Sequence, residues 1–395
     1  FSDGQADTVL HKLAQIQSLR VVARNSSFQY RGQNVDVRQV GEKLNVATVL
    51  EGSEQAAGNK IRVTAQLIDV ANGYHLWSGN FDRELTDVFG IQDEIAEKVV
   101  DALQVSLGDE DSARLARRDT DNVDAFREYS LALREIDDYS FDSLDRALAH
   151  LDKATEIDPG YALAWAMKGL TWRHMNVIGS RTNEEYRAGA RVPVERALEL
   201  DPELPLAMAL IAELDYDNSK VDTALPMIER AVALAPNDPT VLGVYSSVLN
   251  DELLPFDAAD VRLQALELDP LSIPAHQSAA GLLDRLGRDD EALAIIERMR
   301  VINPDAPVAY WGWSYFEANR GRWAKALMTM LEAHRLDASD PIQLSEPVGS
   351  FELGGDFGGM RHHEQRDFLF QACVANQIDD PLLVARINIG GRFVS

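Results

Sequence analysis

The feature that most constrains this chain is a period. From about residue 124 similar phrases close on proline at Pro159 (TEIDP), Pro202 (LELDP), Pro236 (ALAP), Pro270 (LELDP) and Pro304 (VINP), and Ala338 holds the same place after HRLD. From Pro202 onward every step is 34 residues, and the step from Pro159 to Pro202 is 43, one period plus nine. Twelve positions before the closing residues stand Ala147, Ala190, Ala224, Ala258, Ala292 and Ala326. Five before them come Ala154, Ala197, Ala231, Ala265, Met299 and Ala333, and two before them Ile157, Leu200, Leu234, Leu268, Ile302 and Leu336. Such a register is needed where two short helices cross closely, because only small side chains permit the approach while a bulkier apolar residue fills the seam. Proline, with no amide hydrogen to donate, then stops the second helix and opens the next unit.

A stack of that kind needs apolar faces, and 46% hydrophobic against 26% charged residues in 395 is an ordinary globular balance. The 38 Lys and Arg set against 64 Asp and Glu give a net charge of −26. A polyanion would be repelled at range, so nucleic acid is not expected as a partner. Cys373 is the single cysteine, which excludes an internal disulfide and leaves the redox compartment open. No apolar run is long enough to span a bilayer, so no membrane insertion by this chain is expected. The sequence opens Phe1-Ser2-Asp3-Gly4 without an initiating Met or a signal peptide, and a fragment or processed product is expected.

The period of 34 with this Ala, Ala, Leu, Pro cadence resembles the tetratricopeptide repeat family. That family's earlier small position falls on Gly169, displaced by the insertion, then on Ala212, Ser246, Ala280 and Ser314. The resemblance covers about 124–338 as six repeats. It implies antiparallel helix pairs stacked around a concave groove that binds a peptide or a partner protein. In that family the groove is lined by the first helix of each pair. Carried onto this chain, its lining positions are Arg173 and His174, Tyr216 and Asp217, Asn250 and Asp251, Asp284 and Arg285, then Ala318 and Asn319, with Trp311 and Tyr315 in the last unit and Glu213 and Gln277 as further polar contacts. The row of Lys and Asn found in carboxylate-clamp repeats is missing. A basic, aromatic-containing segment therefore fits better than an acidic carboxyl terminus. The alternative for Trp311 and Tyr315 is packing against the tail from 341 onward. Arg181 to Arg187, inside the nine extra residues, read as a longer loop between two helices.

Ahead of the repeats the pattern changes. Residues 3–17 read as a helix with Val9, Leu10, Leu13 and Ile16 on one face, followed by a short strand at Leu19, Val21, Val22 and Ala23. Val35 to Leu44 reads as a second helix. Ile61, Val63, Ala65 and Leu67 then alternate with Arg62, Thr64 and Gln66, the period of a strand with one wet face. Turn signals at Gly58-Asn59 and Asn72-Gly73 make three antiparallel strands the economical reading. A helix from about Asp87 to Leu107 closes the unit with Val88, Ile91, Ile95 and Val99 on one stripe.

The phrases SLRVVARNSSFQYRGQNVDVRQVGEKLNVATVLEGS, RVTAQLIDVANGYHLWSGNFDREL and FGIQDEIAEKVVDAL resemble the TolB-like amino-terminal domain related to FlgO, over residues 1–107. In that family the module commonly follows an adenylate cyclase domain or a CadC-like winged helix. That family has an apolar first strand just before its FxDG phrase, and this strand is expected to be missing from the chain, removed or never part of it, leaving a sheet edge through which a partner strand or a second copy could pair. Residues 108–123 read as a linker or a frayed helix extension. Residues 339–395 leave the repeat register and read as a carboxy-terminal cap, Gly-rich and then helical.

Little in the sequence argues for catalysis. His362-His363-Glu364 places two adjacent histidines about 100° apart on a helix, whereas metal ligands need spacings of three or four. Gly354-Gly355 and Gly358-Gly359 lack the Lys-Ser or Lys-Thr of a phosphate loop. Cys373 sits in an apolar stretch, where a lone cysteine is usually a small buried hydrophobe. No GxSxG, HExxH or Walker motif occurs. No cofactor or metal is expected, and no enzymatic activity.

The expected fold class is thus an α+β amino-terminal domain followed by an all-α tetratricopeptide-repeat solenoid. The expected function is non-enzymatic: a protein-interaction or sensory module of a bacterial signalling protein. The alternative is a structural subunit of a stable assembly. The TolB-like resemblance implies a periplasmic location, with a cytoplasmic one as the alternative.

Overall fold

The structure is a computed structural model that describes residues 2–336 apart from 17, 34, 59, 85–86, 106, 179, 217–220, 252–253 and 305–306. The tail read as a cap, with His362, His363, Glu364, Cys373 and the paired glycines, lies outside the described residues. The chain divides into two compact units, Phe1–Ala275 and His276–Ser395.

The first unit begins with a two-layer α+β element. Strands β1 (Thr48–Ala57), β2 (Lys60–Asp69) and β3 (His75–Glu84) form one antiparallel sheet in the order β1-β2-β3. Gly58 and Gly73 adopt φ of +62° and +75°, the left-handed geometry that lets each turn close without a Cβ clash. The alternation along β2 buries Ile61, Val63, Ala65 and Leu67 on one face and leaves Arg62 on the other. Helices α1 (Ser2–Ala14) and α4 (Val88–Ala102) complete that core with Val9, Leu13, Ile91, Ile95 and Val99, and Ile16 is buried just past the end of α1. Between α1 and the sheet lie α2 (Arg24–Ser27), a 3-10 turn at Phe28–Tyr30, and α3 (Val37–Leu44). The Asp36 side chain caps α3 by accepting from the Arg38 amide.

The strand expected at Leu19–Ala23 does not form. Its apolar pattern did signal burial, and Leu19 and Val21 pack on the α+β core. The backbone, however, finds its partners on the repeats: Ala23 N–H donates to the Leu268 carbonyl at 2.8 Å, and the Leu19 carbonyl accepts from Asn237 Nδ2 at 3.1 Å. An extended segment must satisfy its amides somewhere, and neighbouring turns serve as well as a sheet. The polar stretch after α4 carries α5 (Asp109–Ala116), whose Leu115 packs into the α+β core.

Four helix hairpins follow in the first unit: α6 (Val123–Asp138) with α7 (Phe141–Ile157), α8 (Ala162–Val177) with α9 (Asn183–Leu200), α10 (Pro205–Tyr216) with α11 (Val221–Leu234), and α12 (Pro239–Asp251) with α13 (Pro255–Leu268). Helix α14 (Ile273–Arg285) spans the division between the units, and the second unit carries α15 (Asp289–Ile302), α16 (Pro307–Asn319) and α17 (Trp323–Leu336). The periodic alanines twelve residues before each close are all at most 1% exposed, as close crossing requires. Where the earlier small position is serine, its hydroxyl bonds across the hairpin to the carbonyl of that alanine: Ser246 to Ala258 and Ser314 to Ala326, both at 2.8 Å. The fold class is an α+β amino-terminal domain followed by an all-α tetratricopeptide-repeat fold.

The α+β element and the first repeats share a core and an edge. Phe126 of α6 packs edge-on against Phe89 of α4, with centroids 5.5 Å apart. Along the edge, residues that precede or follow the closing prolines each hold a group from the amino-terminal part. Asp158 accepts from Thr120 Oγ1 at 2.5 Å, Asp201 from Arg117 at 2.5 Å, and Asp269 from Ser26 Oγ at 2.6 Å, while Asn237 donates to Leu19. The Asp of the repeated Asp-Pro phrase thus accepts hydrogen bonds from the chain ahead of the repeats at three of the four turns.

Candidate partner-binding face

The first helices of successive pairs present one polar face. Arg173 on α8 donates through Nε to both Glu213 oxygens on α10, at 3.0 and 2.8 Å, and through Nη2 to Ser247 Oγ on α12 at 3.2 Å. Tyr186 of α9 donates its hydroxyl to Glu213 at 2.8 Å, and Arg262 of α13 reaches Ser247 at 3.2 Å and the Gly243 carbonyl at 2.8 Å. Contacts of this length across α8, α10 and α12 require that these helices lie side by side with the same face forward.

Electrostatics at the face follow from burial. Burial opposes the Arg173 charge, but the carboxylate of Glu213 more than compensates and holds its pKa above the ordinary arginine value. Beside it, burial reinforced by the charge of Arg173 pushes His174 down to about 3, so its imidazole is neutral. The Nδ1 of His174 has no hydrogen-bond partner among the described residues, and the ring packs edge-on against Tyr139 at 5.1 Å. Burial, set against the nearby Arg173, pushes the Tyr139 phenol up to about 12.

The structure brings together Arg173, His174 and Glu213 of the sequence-derived lining. Tyr216 is half-buried and packs partly on the core, and Asn250 is also half-buried. Asp217 lies outside the described residues, and Asp251 is described only as backbone at the end of α12. In the second unit Asp284 accepts from Asn319 at 2.7 Å and from Arg320 at 2.6 Å. There Gln277, Trp311 and Tyr315 are half-buried, Arg285 and Asn319 are exposed, and Tyr315 packs with Trp323 on Ala318 and Leu327. The acids Glu213 and Asp284 are therefore neutralised in place by arginines of the same chain.

Tyr139, Tyr186, Ser247 and Arg262 are neighbours of this face that the repeat register does not point to. The loop expected at Arg181 to Arg187 is corrected: α9 starts at Asn183 and includes Tyr186, with Thr182 and Glu185 forming a reciprocal capping box. The Thr-x-x-Glu phrase carries that signal, and the nine extra residues lengthen the hairpin instead of the loop. Tyr139 ends α6 in a left-handed conformation with φ of +47°, which turns with the chain and which no local pattern marks.

Among the described residues no group of three or more His, Cys, Asp or Glu is placed to hold a metal ion. Among them no helix is long and apolar enough to cross a membrane.

No protein-family model matches the chain. Over 166 residues the chain is 39% identical to the protein named Putative adenylate cyclase 3 of Rhizobium meliloti (strain 1021), and the match spans 42% of this chain and 28% of that protein's length. Among solved structures it is similar to YrrB, described as a TPR protein with an unusual peptide-binding site, at 21% identity over 48% of this chain and 92% of that one with a TM-score of 0.31. It is also similar to pilF of Pseudomonas aeruginosa, at 17% identity, 55% and 93% coverage and a TM-score of 0.37. A third likeness is to a monomeric mutant of IFIT1 with Gppp-AAAA, at 14% identity, 65% and 56% coverage and a TM-score of 0.46.

Proposed function

We propose that this chain is a non-enzymatic interaction module whose polar face on α8, α10 and α12 receives an extended or helical segment of a partner protein. The observation that carries this is the bonded row Arg173, Glu213 and Ser247, which aligns three first helices into one continuous face. Pairing within the face fixes its side chains in advance, and such preorganisation lowers the entropy lost on binding. Tyr216 at the end of α10 and Asn250 near the end of α12 put an aromatic and an amide on the same first helices, the kind of groups that anchor interfaces. Preference for a basic segment then arises from the net charge of −26, since Glu213 and Asp284 are already paired.

The stretch shared with Putative adenylate cyclase 3, and the resemblance of residues 1–107 to the TolB-like module, support a place within a bacterial signalling protein, with the module and repeats on its extracytoplasmic side. The test is selection of binders from a random peptide library on the full chain. Expected are basic, aromatic-containing sequences whose affinity falls at least tenfold in Tyr216→Ala and Asn250→Ala. Binders indifferent to both substitutions would place the binding surface elsewhere.

A second reading rests on the sheet. Among the described residues β1 and β3 each pair on one side only, at ten and nine positions, so either could add a strand from a partner or a second copy. Light scattering at rising concentration separates this reading from the first, because edge pairing between copies would raise the mass.

A further inference from the structure

Arg24 on α2 stands between two carboxylates that belong to other elements. Its Nε lies 3.1 Å from Asp7 Oδ1 on α1. Its Nη1 contacts Asp137 on α6 and donates to the Leu133 carbonyl at 3.2 Å. The guanidinium carbon lies 4.6 Å above the centre of the Phe28 ring, which shields it from water. The side chains of Arg24 and Asp7 are each 12% exposed and that of Asp137 is 26% exposed.

Two carboxylates facing one guanidinium leave this cluster with a net negative charge where water is scarce, an arrangement that costs free energy. His11 on α1 and Asp119 ahead of α6 also face Asp7, and Arg31 beyond the 3-10 turn faces Asp137. The phenols of Tyr129 on α6 and of Tyr161 just ahead of α8 adjoin the cluster and are neutral. Asp119 adds to the negative excess and Arg31 offsets it at the Asp137 side. One added proton would make the triad itself neutral while Arg24 keeps a carboxylate partner.

We propose that Asp7, Arg24 and Asp137 form a proton-operated latch that holds α1 and residues 19–30 against the first repeat more tightly once the triad has taken up one proton. Burial, opposed by Arg24, pushes Asp137 up to about 6, and burial also raises Asp7. A carboxyl whose pKa is raised in the docked state binds its proton more strongly there, so docking strengthens as pH falls through about 6 and weakens as pH rises past it. The latch would report mild acidification of the surroundings as a change in how firmly the amino-terminal part sits on the repeats.

The test is amide hydrogen exchange in the full chain, corrected for intrinsic rates, at Ala23 and Ser27, whose N–H groups bond Leu268 and Ala23. Protection is expected to be about tenfold higher near pH 5 than near pH 7.5. In Asp137→Asn and in Asp7→Asn, where a neutral amide replaces one carboxylate, the ratio is expected to fall to about one with protection high at both pH values. In His11→Asn the ratio is expected to persist. A wild-type ratio of about one overturns the latch. A ratio that survives in both Asn variants would put the proton on Asp269, under the same segment, and also overturns it. Loss of the ratio in His11→Asn would assign the proton to the imidazole and overturn the latch in the same way. Unfolding of both Asn variants would contradict it too, because each imitates the protonated, closed state.

Discussion

At Gly169 the separation of α8 and α9 is set by a missing methyl group. A Cβ there would stand 2.3 Å from Val194 Cγ2, with Leu210 and the Ala190 carbonyl next in line at 3.4 and 3.8 Å. Gly169→Ala is expected to cost about 1 to 3 kcal/mol by overpacking, and Val194→Ala about 2 kcal/mol by leaving a cavity. Together they should cost less than the sum, because each change relieves the fault of the other, and denaturant titration of the double-mutant cycle measures this. The face gives a second expectation at this scale. Glu213→Ala strands Arg173 and is expected to cost about 3 kcal/mol, whereas Tyr186→Phe removes a hydrogen bond to the Glu213 carboxylate but leaves the ion pair and should cost about 1.5 kcal/mol. His174, held near 3, is expected to show no imidazole titration in NMR spectra between about pH 8 and pH 5. Its depressed pKa contributes stability that is present above the ordinary value of 6.5 and lost as pH falls below it, opposite in sign to Asp137. The small residues of the repeat were legible in the sequence because close crossing leaves no other choice. Tyr186 and Ser247 were not, because their contacts form between helices once these pack and leave no pattern within either helix.

Helices and strands were readable wherever period and punctuation agreed. The alternation from Ile61 to Leu67 gave β2, and the stripe Ile91, Ile95 and Val99 gave α4. The reading failed at Leu19–Ala23, where an apolar alternating segment looks like a strand whether its amides bond to a sheet or to turns. It failed again at Arg181–Arg187, where the apolar register of α9 is broken by Arg187 and Arg191 and the capping box was the better guide. The elements also show why the phrase Asp-Pro recurs. Asp269 accepts from Ser26 Oγ and Asn25 Nδ2 and is 5% exposed, so Asp269→Ala should leave two donors unsatisfied. A loss of about 1 to 3 kcal/mol is expected, with trypsin cleavage after Arg20 or Arg24 appearing under native conditions while α12 and α13 stay intact. Unchanged proteolysis would show that the segment is held by other contacts.

At the scale of the molecule, an acidic chain carries a polar face whose side chains are paired with one another. Its charge of −26 should speed the approach of a basic partner segment, and that advantage should fade as salt shortens the screening length. The period made the repeat architecture legible from the sequence, and the α+β start could be read from its strands. The state of the face could not be read: which charges remain available depends on pairs such as Arg173 with Glu213 that form only when the hairpins stack. The most direct test is photo-crosslinking in the native host. A photoreactive residue is placed in the full chain at Tyr216 or Asn250, near the ends of the first helices α10 and α12, or at Glu199, whose side chain is 66% exposed on the second helix of its pair. A defined protein crosslinked from Tyr216 and Asn250 and absent from Glu199 is the result expected. Equal crosslinking from all three positions, or capture from Glu199 alone, would contradict a partner seated on the first-helix face.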